Sequence, residues 1–224
     1  MAPQNKNGRE SGNVFVLVLM GVVLFAALMF TFSRSARQGG ENISKKQVDI
    51  AVADILSYAQ NIERATNRVM MGGHYSETQI DFENNIVAGY ANGACTVTGC
   101  KVFNAVGGGV AWQDPPEKIN NGSQWIITGE NAAPGVGVDA NADLVMFLGG
   151  LGSATCEAIN EKLGLSVLLP QDIDDIDTTK FTGTFANTAR IGADADLSNV
   201  RAACIQNTVP NPDDYIFYYV LMER

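Results

Sequence analysis

Residues 44–71 read SKKQVDIAVADILSYAQNIERATNRVMM, and their periodicity frames the rest of the chain. Apolar side chains recur at Val48, Ala51, Val52, Ile55, Tyr58, Ala59, Ile62, Ala65 and Val69, three or four residues apart, which puts them on one face of a helix. Asp49, Asp54, Glu63, Arg64 and Arg68 fall largely off that face. Ser44-Lys45-Lys46-Gln47 has the form of a capping box, so a helix is expected to begin there, and Gly72-Gly73 offers a left-handed C-cap at its end. An amphipathic helix of this kind needs a surface to cover.

Upstream, Gln38-Gly39-Gly40-Glu41 reads as a flexible break, because glycine pairs are costly inside helices. Before it, residues 14–32 form the run VFVLVLMGVVLFAALMFTF, without a charged side chain. Nineteen apolar residues at about 1.5 Å each match a hydrocarbon core roughly 30 Å thick, so a transmembrane helix is expected over residues 13–33. The run is longer than the apolar core of a cleaved secretory signal, and Arg34 interrupts the one small-residue site after it. Lys6 and Arg9 precede the span, while Arg34, Arg37, Lys45 and Lys46 follow it. That count alone points the larger part of the chain inward.

The cysteines point outward. Cys95, Cys100, Cys156 and Cys204 all follow the apolar run, and an even number in one exported domain reads as two disulfides, with three connectivities open. The preferred pairing joins Cys95 to Cys100, across four residues that suit a turn, and Cys156 to Cys204, closing a long loop. Zinc would call for paired Cys motifs or accompanying histidines, and the chain has a single histidine, His74. Long domains translocate largely regardless of charge, so an exported head is preferred.

Downstream of Gly73 the chain changes character, with short β-prone runs punctuated by Gly, Asn, Thr and Pro. Strands are expected at 101–103, 109–112, 124–128, 144–148 and 215–222, and a short helix over Ser153–Leu163 stopped by Gly164. Residues 169–197 read as a long polar loop. The fold class is therefore α+β: an N-terminal transmembrane helix and an amphipathic helix followed by a β-rich, disulfide-stabilised globular head. The expected divisions are a basic leader 1–12, the span 13–33, a linker 34–43, the amphipathic helix 44–71 and the head 72–224.

Composition narrows the function. There are 24 acidic against 15 basic residues, a net charge of −9, with no cluster of Lys and Arg to neutralise phosphates, so nucleic acid is excluded as a partner. No catalytic residues are assigned. His74 lacks a partner at useful spacing, and Gly107-Gly108-Gly109 precedes another strand-like run rather than a helix N-terminus, so it reads as a hairpin turn and not a phosphate loop. Asp172, Asp174, Asp175 and Asp177 crowd four carboxylates into six residues, a candidate calcium site; Asp139-Ala-Asn141-Ala-Asp143 is a weaker one that lacks the turn glycine. No other cofactor is expected.

This order of parts resembles the type IV pilin and type II secretion pseudopilin superfamily. The matching parts are the leader Met1 to Gly12, the apolar segment from Asn13, and the helix from Ser44 to Met71 under a β-rich head. The resemblance implies leader processing between Gly12 and Asn13, and Leu17 then stands where the family has a glutamate. It also implies a non-enzymatic structural subunit that assembles with itself or with envelope or secretion proteins, in contact with membrane lipid and with its head periplasmic or extracellular. The alternative is a single-span membrane protein with an exported binding head that does not polymerise, including a virion envelope or spike protein.

Overall fold

The computed structural model describes the backbone at residues 11–138, 140–165, 169–172, 176–192, 197–208 and 214–224, with side chains in the N-terminal helix at 16, 18–24 and from 45 onward. The first element is a helix, α1, over Ser11–Asn67, which ends in a π-helical turn, Arg68–Gly72. Six strands follow, β1 (Ile126–Ala132), β2 (Asp143–Leu151), β3 (Gln171–Asp172), β4 (Ala189–Arg190), β5 (Ala202–Asn207) and β6 (Asp214–Met222), with a second helix, α2 (Ser153–Leu163), between β2 and β3. The chain divides into two units, Met1–Gln47 and Val48–Arg224.

The first unit corrects three expectations. Among the described residues no helix is long and apolar enough to cross a membrane, so the transmembrane helix expected over 13–33 is not supported. The linker expected over 34–43 is helical instead, and Ser44 lies inside α1 rather than capping a new helix. Each interior Gly costs about 1 kcal/mol relative to Ala, too little to stop a helix that continues on both sides.

The second unit is built on one sheet in the order β3-β5-β6-β2-β1-β4, giving an α+β head. Its four central strands pair antiparallel, with Val145 opposite Val220 and Cys204 opposite Phe217, while β3 and β4 each add two residues in parallel at the edges. Alternation sends side chains to two separate cores. Leu144, Met146 and Leu148 of β2, Phe217 and Leu221 of β6 and Cys204 of β5 meet Val52, Ile55, Tyr58, Ala59, Ile62 and Ala65 of α1 and Ile159 of α2. The interleaved Val145, Phe147, Ala203, Ile205, Ile216, Tyr218 and Val220 meet Ile176, Ile191 and Leu197. The 44–71 periodicity thus identifies the buried face of α1 from Val52 to Ala65 and its continuation to Val69 in the π-helical turn.

In the stretch 169–197, expected to be a surface loop, the described Ile176, Ile191 and Leu197 pack into the second core and Phe181 into the first. Phe181, Ala186, Thr188 and Ile191 donate backbone N–H groups to Ile127, Gly129, Glu130 and Ala132, so this segment is laced to β1 along its length. The strands expected at 101–103 and 109–112 are absent, apart from a single parallel bridge between Asp81 and Lys101. Asn104 consumes the backbone there: its carbonyl accepts from Gly107 and Gly109 and its Oδ1 from Val106. Gly73 is right-handed rather than left-handed, and the positive φ of 56° falls on His74.

Candidate functional site

Both preferred disulfides are present, Cys95–Cys100 and Cys156–Cys204, and no cysteine is free. The first closes a small loop that ends in a 3-10 turn, Thr98–Cys100. The second bonds α2 to β5 with both cysteines buried. One helical turn after Cys156, the buried Asn160 grips the same strand: its Nδ2 donates to the Cys204 carbonyl and its Oδ1 accepts the Cys204 N–H, both at 2.8 Å. This clamp escaped the sequence reading, although an Asn four residues after a Cys on a helix lies on the same face and was the available signal.

Of the acidic cluster, Asp172 and Asp177 are described, and each carboxylate is engaged by its own hydrogen-bond donors. Asp172 is fully buried and its Oδ2 accepts the Gly192 N–H at 2.5 Å, while its own carbonyl accepts from Thr208. Asp177 points to other partners: its carboxylate accepts from the Thr179 N–H and the Thr188 hydroxyl, and these bonds, Thr179's first, hold its pKa below the usual aspartate range. Asn131 bridges the Asp177 backbone with both ends of its amide. Asp174 and Asp175 lie outside the described residues. Among the described residues no group of three or more His, Cys, Asp or Glu is placed to hold a metal ion, and the calcium expectation, which needs Asp174 and Asp175 beside Asp172 and Asp177, falls partly outside those residues. Asp139 also lies outside them, and Asp143 turns inward to accept the N–H groups of Ala133 and Arg224.

The remaining polar groups serve the fold. His74 is exposed. Tyr90 donates to the Trp125 carbonyl and accepts the Ile127 N–H, and burial pushes its hydroxyl up to about 12. Tyr58 accepts the Gln113 N–H and is likewise raised by burial. Such phenols stay protonated at neutral pH and act as spacers between α1, the loop and the sheet. Gly107 and Gly108 form no phosphate cradle and no hairpin: a Cβ on Gly107 would lie 2.1 Å from the Lys101 carbonyl oxygen, and one on Gly108 2.4 Å from that of Val102.

Candidate sites of function therefore lie at surfaces. One depression of about 400 Å³ is walled by Asp54, Ser57 and Asn61 of α1 and by Asp114 and Pro116. A wider one of about 550 Å³ opens between Glu83–Ile86 and the Phe103–Trp112 segment. In the first unit, Val16 and Val18–Leu24 line α1 as a run in which every large apolar side chain is exposed. Gly12 and Asn13, the residues flanking the expected processing point, belong to the first turn of α1. Compared with protein-family models, curated proteins and solved structures, the chain matches none.

Proposed function

We propose that this protein is a pilin-like structural subunit that acts by assembly, with itself or with envelope and secretion proteins, and that its head works in an oxidising compartment outside the cytoplasm. The observation that carries the reading is the exposed run in α1. Val16, Val18, Leu19, Met20, Val22, Val23 and Leu24 are each 52–68% exposed, and consecutive residues of a helix point in every direction. A helix apolar on all sides has no single face to dock; it belongs in the interior of a bundle where neighbours surround it. The disulfides support the compartment, since two bridges with no free thiol are maintained outside reducing cytosol. The division of labour follows: the helix supplies self-association, and the sheet, stapled to α2 by Cys156–Cys204, supplies a rigid head.

A photo-reactive phenylalanine at Val18 tests this in intact cells producing the full chain, with the same group at Val97 on the head as comparison. The expected outcome is a ladder of cross-linked species from Val18 and little from Val97. Monomer alone from both positions overturns the assembly reading.

A further inference from the structure

The wider depression has a composition that the assembly reading does not use. Its apolar wall is Phe103, Val110 and Trp112, and its opposite rim carries Asn84, Asn85 and Ile86. Phe103 and Trp112 are half-buried and meet edge to face at 5.3 Å, so each keeps part of its surface open to the cleft. The two tryptophans of the chain differ in a telling way. Trp125 is fully buried and its indole N–H donates to the Gln113 carbonyl, whereas the Trp112 N–H has no acceptor among the described residues. Trp112 is held by packing alone, against Phe103 and Tyr90.

Charge selects among ligands. Lys101, the cation lining the cleft, is occupied by Glu83 and lies 3.7 Å from Asp81. Nothing there is left to neutralise a phosphate or a sulfate, and the net charge of −9 disfavours polyanions further. The cleft is also open rather than enclosing, so it fits a segment of an extended molecule better than a small molecule swallowed whole. Neutral pyranose rings present an apolar C–H face and a rim of hydroxyls. An aromatic ring answers the first, and planar amides, each offering donors and an acceptor, answer the second. Asn85 is exposed and Asn104 lines the same wall. An extended peptide would instead seek an unpaired strand edge, and the segments around this cleft are turns.

We infer that the cleft between residues 83–86 and 103–112 binds a neutral glycan, stacked on Trp112 and Phe103 and hydrogen-bonded by the Asn85 amide and by the Nδ2 of Asn104, whose Oδ1 is taken by the Val106 N–H. The inference stands independently of assembly. The test is affinity electrophoresis of the full disulfide-bonded chain in native gels containing hydroxyethylcellulose, galactomannan or dextran. Concentration-dependent retardation is expected in at least one gel. Trp112→Ala is expected to weaken it about tenfold, the loss of one ring contact. Asn85→Ala, at an exposed position that leaves packing intact, is expected to weaken it about threefold, on the scale of one net hydrogen bond, while Asp54→Ala in the other depression leaves it unchanged. Migration unaltered in all three gels overturns the inference, as does retardation indifferent to both cleft variants. Binding of a fluorescein-labelled apolar peptide that Asn85→Ala weakens, with no glycan retarding the chain, assigns the cleft to peptides and equally overturns it.

Discussion

Asp143 is the residue on which the closing end of the sheet depends. Fully buried, it spends one oxygen on the Ala133 N–H and the other on the Arg224 N–H, joining the end of β1 to the segment after β6. Burial raises its pKa above the ordinary aspartate range, against the opposite pull of those two donors. An acid raised in this way binds its proton more readily folded than unfolded. Its contribution is therefore fully present below the unfolded pKa and is lost as the pH rises through the raised folded value. Asp143→Asn can accept only one of the two N–H groups and is expected to cost about 1–3 kcal/mol. The gap from wild type should widen as the pH falls from neutrality toward 3, checked by denaturant melts across that range.

Glu63 makes the corresponding connection on the helix side. Its Oε2 accepts the Tyr219 hydroxyl at 2.6 Å and its Oε1 meets Arg201 at 3.3 Å, so one carboxylate of α1 contacts both β6 and the start of β5. Burial first, and then this bond, raise the Tyr219 pKa, so the phenol remains a donor at any physiological pH. A double-mutant cycle of Tyr219→Phe with Glu63→Gln should return a coupling of about 1 kcal/mol by chemical denaturation, modest because Glu63 and Tyr219 both keep some contact with water.

At the scale of elements, α2 was readable from residues alone. Ser153–Leu163 forms as expected and Gly164 ends it at φ 75°, its N–H returning to the Asn160 and Glu161 carbonyls. Nothing crowds a Cβ there, so Gly164→Ala should cost only the left-handed backbone term, about 1 kcal/mol. Gly107→Ala should cost distinctly more in the same thermal melt, because a backbone oxygen occupies the space. β1, β2 and β6 were also legible, since their apolar residues are long and β-branched or aromatic. β5 was not: Ala-Ala-Cys-Ile-Gln-Asn has little strand preference of its own, and it is a strand because β6 pairs with it edge to edge while the two cores bury Cys204 on one face and Ala203 and Ile205 on the other. Residues 101–112 failed in the opposite sense, β-prone but committed to turns by Asn104 and close-packed glycines. Linear spacing does not show that Asp172 and Asp177 take different hydrogen-bond donors, Gly192 for the first and Thr179 and Thr188 for the second.

The disulfides rank by the loops they close. In the chain-entropy picture the Cys156–Cys204 bridge, spanning 48 residues, contributes about 4 kcal/mol and the Cys95–Cys100 bridge, spanning 5, about 2. Replacing each pair with alanines and measuring unfolding in guanidinium should reproduce that order, and the Asn160 clamp should keep α2 in place in the longer-loop variant.

For the whole molecule, the unit Val48–Arg224 contains both cores, both disulfides and every strand. It is expected to fold alone. Residues 48–224 should show the same cooperative melt by circular dichroism as the full chain but stay monomeric in sedimentation, separating stability from association. Among the described residues each edge of the sheet carries a two-residue parallel strand, which leaves little of that backbone for another sheet to template on.

The pairing of β2 with β6 also bears on how the protein is made. Val145 meets Val220 across 74 intervening positions in the chain order, so the middle of the sheet is joined by segments that leave the ribosome far apart in time. Until β6 emerges, β2 exposes both of its apolar faces, and Cys156 has no docked strand to present Cys204 to it. The head is thus ill suited to closing during translation, and its central pairing and its long-range bridge are both completed only after the last strand has been made.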